Sequence, residues 1–152
     1  MQFIVDRNLG KLAKWLKIMG LNVTFFNSLD DVKFIEIAKS EKRTIVTKNH
    51  KIREMAKGLP LVFIHNEGLD SQLEEFISVS GWRPKHTDCF SRCIVCNNKL
   101  QPINKKDIEG IVPDYVFYNY EEFFICQNCK KIYWPGTHHN KMLEKLNKFF
   151  IE

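Results

Sequence analysis

The sequence predicts an α/β protein with a three-layer parallel sheet in its first half and a small metal-binding segment in its second half. Within residues 1–80, short apolar runs alternate four times with stretches of helical periodicity. Such alternation is typical of a parallel sheet with right-handed crossovers and helices on both faces. All five cysteines lie beyond residue 88. We therefore expect two domains, residues 1–82 and residues 83–152, joined by a hinge at residues 81–84.

The first strand and helix organise the N-terminal domain. Residues 3–5 form an apolar run that suits a buried strand, and Asp6 ends this run with a charge. Apolar residues then recur at helical spacing from residue 9 to residue 19, and Gly20 suits the end of that helix. The opposite face of the helix carries three cations: Arg7, Lys11 and Lys14. Because chemistry in open α/β sheets collects at the carboxyl ends of strands, Asp6 is a candidate site residue, and capping of the helix is the alternative.

Three further strand–helix units follow the same pattern. Strands are expected at residues 22–26, 44–47 and 61–64, where β-branched and aromatic residues cluster. Helices are expected to end near residues 41, 58 and 79. The spacing of Ser28 and Asp31 is that of a capping box, which predicts Ser28 as the N-cap of the second helix.

The cysteines of the second domain form two Cys-x-x-Cys pairs, Cys93 with Cys96 and Cys126 with Cys129. Two such pairs indicate a tetrahedral zinc site, with redox dithiols or a disulfide as the alternative. Four thiolates leave no position for water, so the zinc is expected to be structural. The spacer between the pairs, residues 97–125, is expected to hold a small helix near residues 113–118. Cys89 is the spare and is expected to be a partly buried free thiol.

Composition and charge describe a globular protein with a mild preference for polyanions. The formal net charge is +5, and residues 1–85 carry 14 Lys and Arg against 10 Asp and Glu. This excess favours a nucleic acid partner, although a solubilising surface explains it nearly as well. No apolar run approaches the roughly 20 residues of a membrane helix, and the first residues do not form a signal peptide. A cytoplasmic location and no membrane partner are therefore expected.

Four motifs allow comparison with known families: VDRNLGKLAKWLKIMG, LDDVKFIEIAKSEKRTIVTKN, FSRCIVCNNKL and CQNCKKIYWPGTHHNKM. Together they resemble the Mut-seven C-terminal RNase domain family over residues 2–142. The resemblance implies a PIN-like nuclease fold followed by a C-terminal zinc ribbon. It also implies a metal-dependent ribonuclease in which carboxylates at strand ends hold Mg²⁺ or Mn²⁺ for phosphodiester hydrolysis.

The resemblance also assigns the acids of the catalytic site. Asp6 matches the acid of the first strand, and Asp31 matches the acid that opens the second helix. The third acid of the family falls at Asn49, where an amide removes one negative charge from the site. Asp30 is the first choice for a substitute. Three further acids are possible, each with a cap or a solvated surface as its alternative role: Glu36, Glu67 and Asp70.

RNA contacts require cations for phosphates and aromatic rings for unpaired bases. The candidates beside the catalytic acids are Arg7, Lys11, Lys14 and Lys48. A basic and aromatic tip on the ribbon supplies Lys130, Lys131 and Trp134. Trp134 precedes a Pro-Gly pair and is alternatively a turn anchor, and Trp15 suits core packing as well as it suits base stacking.

The last helix is expected to be capped by Thr137. Its first turn carries His138 and His139, which are expected to be exposed or to face RNA, with a second metal site as the alternative. Adjacent residues point apart on a helix, which disfavours the metal site.

Two functions are consistent with these features. The first is a Mg²⁺- or Mn²⁺-dependent ribonuclease, weakened by Asn49, with an RNA-binding zinc ribbon. The second is a catalytically impaired PIN-like module that binds RNA or a ribonucleoprotein such as the ribosome. A toxin component inhibited by a partner fits less well, because PIN toxins usually lack a ribbon. The oligomeric state is not predicted.

Overall fold

Four parallel strands form the sheet of the N-terminal half in the computed structural model, which describes residues 1–150. The strand order is β2-β1-β3-β4. The strands are β1 Gln2–Asp6, β2 Asn22–Phe26, β3 Thr44–Thr47 and β4 Leu61–Phe63. The helices are α1 Gly10–Ile18, α2 Asp31–Ser40, α3 His50–Met55 and α4 Leu69–Ser80. The predicted α/β class with a parallel sheet is confirmed.

The central strand β1 is covered on both faces. Phe3 and Val5 pack in the apolar cluster that contains residues of α1 and α4. Ile4, which points the other way, packs in the cluster formed by α2 and α3 with β3. All three side chains are fully buried, and each contributes about 1.5–3 kcal/mol to the free energy of unfolding. The alternation therefore places the sheet between two helical layers, as the sequence predicts.

The second half contains a three-stranded antiparallel sheet of order β5-β6-β7. Its strands are β5 Gln101–Ile103, β6 Phe123–Ile125 and β7 Ile132–Tyr133. Helix α5 Asp114–Asn119 connects β5 to β6 along the chain, which confirms the small helix expected in the spacer. A separate core supports this unit and consists of Ile108, Val112, Val116 and Phe123.

The terminal helix α6 Thr137–Leu146 returns to the N-terminal unit. Leu146, Phe149 and Phe150 are buried in the same apolar cluster as Phe3 and Phe76. The helix therefore packs across the proposed domain boundary at residue 82. Gly136 rather than Thr137 occupies its N-cap position, and no side chain caps the helix.

The junction between the two halves is packed, which argues against the expected hinge. Trp82 lies against the N-terminal core, and Pro84 is buried. The backbone N–H of Phe90 donates to Ile18 O at 2.7 Å. Gly20 has a φ of +94°, and a Cβ there would lie 2.4 Å from Asp88 O. Only glycine tolerates both the positive φ and the short distance to Asp88. The second unit therefore packs directly against the end of α1.

Candidate active site and metal centre

Asp6 lies at the carboxyl end of β1 and is only 2% exposed. The Thr47 hydroxyl at the end of β3 donates a hydrogen bond of 2.7 Å to Asp6 Oδ2. The short helical turn that follows, Arg7–Leu9, receives no side-chain cap from Asp6. The capping alternative is therefore wrong. A carboxylate buried at a strand end and fixed by a hydroxyl is a positioned group rather than a solvated one.

Asn49 is connected to Asp6 through the same hydroxyl. The backbone N–H of Asn49 donates to Thr47 Oγ1 at 3.0 Å. The Asn49 side chain caps α3, since its Oδ1 accepts from the Lys51 N–H at 2.9 Å. The amide oxygen that could serve as a metal ligand is thus engaged with a helix end, a position where Asn and Asp are equally favoured.

Asp31 opens α2 and lies at the same edge of the sheet, with a side chain 15% exposed. Two cations approach its carboxylate. Arg7 Nη1 lies 3.9 Å from Oδ1, and Lys51 Nζ lies 3.6 Å from Oδ2. Arg7 directly follows Asp6 in sequence, and the backbone N–H of Lys51 is held by Asn49. The structure therefore joins Asp6 and Asn49 through Thr47, and Asp31 is linked to their neighbours through its ion pairs with Arg7 and Lys51.

Asp30, the first choice for a substitute acid, caps α2. Its Oδ1 accepts from the Lys33 N–H at 3.0 Å. The expected capping box at Ser28 does not form, because Ser28 Oγ accepts from the Asp30 N–H instead, at 3.2 Å. Asp30 lies next to Asp31 in sequence, but its carboxylate is directed to the helix end, as the N-cap role requires.

The other candidate acids also have partners or face solvent. Lys48 Nζ lies 2.5 Å from Glu67 Oε2. Lys145 of α6 lies 2.7 Å from Asp70 Oδ1, and this hydrogen bond lowers the pKa of Asp70. Glu36 is exposed on α2. Among these acids, Glu67 remains beside the site through its pairing with Lys48.

Sequence reasoning missed a histidine–glutamate pair after β4. Glu75 on α4 accepts from His65 N at 2.8 Å and from Asn66 N at 3.1 Å, and its Oε2 lies 2.7 Å from His65 Nδ1. Burial raises the pKa of Glu75, but the hydrogen bonds from His65 and Asn66 outweigh it and lower that pKa. When Nδ1–H donates to the carboxylate, Nε2 is left as an acceptor. Ten residues separate the partners, and no local pattern indicates their pairing.

The four cysteines of the two Cys-x-x-Cys pairs converge, with all Sγ atoms within 4.8 Å of one another. Cys89 lies outside this group. Tetrahedral zinc with Zn–S bonds of about 2.3 Å requires sulfur separations of about 3.8 Å. The Cys93–Cys129 separation is 3.8 Å. The four cysteines are therefore positioned to bind a metal ion, and the donor set and its spacing fit zinc.

Neighbouring groups support the sulfur atoms. The Cys96 N–H donates to Cys93 Sγ at 3.3 Å, and the Tyr133 hydroxyl lies 3.0 Å from the same sulfur. Burial alone would raise the pKa of Cys93, but these hydrogen bonds lower it to about 6. Lys17 of α1 donates to Ile94 O at 3.4 Å, which places its ammonium beside the turn between Cys93 and Cys96. Burial lowers the pKa of Lys17. The hydrogen bonds to Cys93 thus favour its thiolate, the form that binds metal.

The predicted RNA-binding cations occupy three surfaces. Lys11 and Lys14 are exposed on α1. Arg7 and Lys48 lie at the carboxyl edge of the sheet, where their partners are Asp31 and Glu67. Lys130 and Lys131 are exposed directly after Cys129.

The predicted aromatic contacts are more buried than the cations. Trp134 is half-buried and packs near Phe123, with ring centroids 6.4 Å apart, as the turn-anchor alternative expects. Its other side lines a surface groove. Trp15 packs against the N-terminal core, and Lys145 Nζ lies 5.3 Å from its ring centroid. Trp15 is therefore primarily a packing residue.

Comparison with known proteins gives one family. The family model described as Mut7-C RNAse domain matches residues 1–146 of the chain. This match confirms the resemblance drawn from the sequence motifs. Neither the curated proteins nor the solved structures give a match. Within residues 1–150, no helix has both the length and the apolar character needed to cross a membrane.

Proposed function

Because the chain belongs to the Mut7-C RNAse domain family, we propose that it is a metal-dependent ribonuclease of PIN-like fold acting at the sheet edge around Asp6. The observation that carries this proposal is the hydrogen bond between Asp6 and Thr47. It fixes a buried carboxylate at the carboxyl end of the central strand, where ligand sites of open α/β sheets lie. The proposed division is a nuclease domain over residues 1–82 and a zinc ribbon from residue 83 onwards.

The donor atoms at this edge fit Mg²⁺ or Mn²⁺ held by few protein ligands. Mg²⁺ is commonly bound by one or two carboxylates together with water and substrate phosphates. Asp6 and Asp31 are the carboxylates that would hold it. The four cysteines are the only compact group of three or more His, Cys, Asp or Glu ligands in residues 1–150. A bound divalent ion supplies charge stabilisation and an activated water for phosphodiester hydrolysis.

The residues of the chain have distinct roles in this proposal. Thr47 holds the Asp6 carboxylate in one orientation. Arg7 and Lys51 lie beside Asp31, where they are placed to bind the phosphate oxygens of RNA at the same edge. Lys11 and Lys14 extend this positive surface along α1, and the structural zinc on the four cysteines maintains the ribbon.

The second candidate function is a binding module for RNA or a ribonucleoprotein such as the ribosome. Asn49 favours it, because the amide lacks the charge of the family's third acid and its oxygen already caps α3. Arg7 and Lys51 favour it as well, since they already neutralise Asp31.

Cleavage of a fluorescent single-stranded RNA across Mn²⁺ concentrations distinguishes the two functions. We expect wild-type protein to cleave, Asp6→Asn to be inactive with RNA binding retained, and Asn49→Asp to cleave faster. Glu54→Gln is the matched control, because Glu54 is an exposed acid on α3 that pairs with Lys57. Background cleavage by every variant, together with intact RNA binding, would discard the ribonuclease and leave the binding module.

A further inference from the structure

A groove of about 440 Å³ opens between the two halves of the protein, away from the carboxyl edge of the sheet. Its walls come from α1, the turn between Cys93 and Cys96, α5, β7 and the start of α6. This volume lies within the range of small-ligand sites. The lining residues central to its chemistry are Lys14, Tyr115, Tyr120, Trp134, His138 and His139.

Aromatic side chains dominate the groove. Tyr115 is 69% exposed on α5 and lines the groove. Phe90 and His139 form a stacked pair on another wall, with ring centroids 4.0 Å apart and planes at 29°. Tyr133 is held in place by its hydroxyl contacts with the Cys93 sulfur and the Ile94 N–H. The groove thus offers rigid, flat surfaces of the kind on which unpaired bases stack.

The electrostatics of the groove favour an anionic ligand. None of the lining residues contributed by residues 1–150 is acidic, whereas Lys14 lies at the rim. The start of α6 also opens onto the groove through Gly136 and Thr137. That helix has ten residues, no side-chain cap and no acid in its first turn. Its free N–H groups and positive end complement a phosphate.

We propose that this groove binds an unpaired base of a single-stranded RNA, with the adjoining phosphate at Lys14 and the start of α6. The basic face of α1 connects the groove to the carboxyl edge, since Lys11 and Lys14 lie on this helix directly after the turn that carries Arg7. The choice of RNA rests on the proposed function. RNA binding in the groove does not require cleavage, and the groove is separate from the Asp6 site.

Two tyrosines of α5 provide a matched test. Tyr115 lines the groove, whereas Tyr118 is equally exposed, at 71%, and does not line it. Fluorescence anisotropy with fluorescein-labelled oligouridylate and oligoadenylate would measure binding by the full chain. The buffer contains no added divalent ion and no chelator. We expect Tyr115→Ala to weaken binding about fivefold or more and Tyr118→Ala to change it less than twofold. Lys14→Ala is expected to reduce the slope of log binding constant against log salt concentration by about 0.7.

Cross-linking of 4-thiouridine RNA gives a second measurement that does not depend on substitution. We expect cross-links at Tyr115, Trp134 or His138. Wild-type affinity in both Tyr115→Ala and Lys14→Ala, or cross-links only outside the groove, would overturn the proposal even if the protein cleaves RNA. Weakened binding confined to Tyr115→Ala and Lys14→Ala would support the groove even if wild-type protein shows no cleavage. An absence of RNA binding by wild type would also overturn it.

Discussion

The side-chain oxygen of Asn97 accepts a hydrogen bond of 2.7 Å from the backbone N–H of Val23. Its amide nitrogen donates to Leu21 O at 2.8 Å. Asn97 directly follows Cys96, whereas Val23 belongs to the edge strand β2. The cysteine knuckle thus satisfies backbone groups that an uncovered edge strand would expose. Asn97 therefore joins the Cys93–Cys96 turn to the edge of the N-terminal sheet.

Replacement of Asn97 should lower the free energy of unfolding. Asn97→Ala leaves the N–H of Val23 in β2 and the carbonyl of Leu21, just before β2, without this partner, at a cost of about 1–3 kcal/mol. It also places alanine at a φ of +62°, which adds about 1 kcal/mol. Asn97→Gly removes the side chain without the conformational strain and should be less harmful. Urea unfolding checks this order, with the exposed neighbour Asn98→Ala as control. Equal stability of Asn97→Ala and Asn98→Ala would contradict it.

Zinc content should depend on the four converging cysteines alone. Cys126→Ser removes a buried member of the group and should abolish stoichiometric zinc and unfold the ribbon, because metal affinity supplies much of the stability of a small metal-binding unit. Cys89→Ser is the control and should retain one zinc per chain, since Cys89 lies outside the group. Elemental analysis and circular dichroism measure both effects. One zinc per chain in Cys126→Ser would contradict the assignment.

Zinc binding should weaken as the pH falls towards about 6. Burial raises the pKa of Cys93, but its hydrogen bonds outweigh this effect and lower the pKa from the usual 9.0 to about 6. Because zinc binds the thiolate, protons compete with the metal for this sulfur as the pH falls through that value. Tyr133→Phe removes one hydrogen bond to the sulfur and should move the pH of zinc release upward. Zinc release to a chromogenic chelator across pH measures this, and an unchanged release pH in Tyr133→Phe would refute the role of the hydroxyl.

Asn49→Asp should make thermal stability more dependent on Mn²⁺. Without metal, a third carboxylate near Asp6 and Asp31 is repulsive. The structure adds an opposing effect, since Asp caps α3 as well as Asn does and a helix N-terminus favours negative charge. We therefore expect a metal-free loss below about 1 kcal/mol, and a larger rise in Tm with Mn²⁺ than wild type shows. Differential scanning calorimetry with and without Mn²⁺ measures this. Identical Mn²⁺-induced shifts in the two proteins would exclude Asn49 from the neighbourhood of a metal.

Periodicity and spacing were sufficient to predict the main elements of this protein. The four strand–helix units follow from local patterns, and the grouping of Cys93, Cys96, Cys126 and Cys129 follows from their spacing. The shared edge of Asp6 and Asn49 follows as well, because parallel strands end on the same side of a sheet.

Side-chain partnerships between distant segments could not be predicted in the same way. The bonds of Asn97 to β2, and of His65 to Glu75, join residues without any common local pattern. Capping by Asp30 instead of Ser28 was missed because several polar residues compete at the start of α2. These choices depend on where the rest of the chain lies when the structure forms.

The burial of Leu146, Phe149 and Phe150 in the core around Phe3 and Phe76 has a consequence for biosynthesis. The ribosome completes the N-terminal sheet and its helices about 70 residues before it adds the three C-terminal side chains that cover this core. At 5–20 residues per second, that surface stays incomplete for roughly 4–14 s. During this interval the nascent chain presents an apolar face of the kind that chaperones bind. Folding of the N-terminal unit is therefore completed only after the cysteine-containing second half has been synthesised.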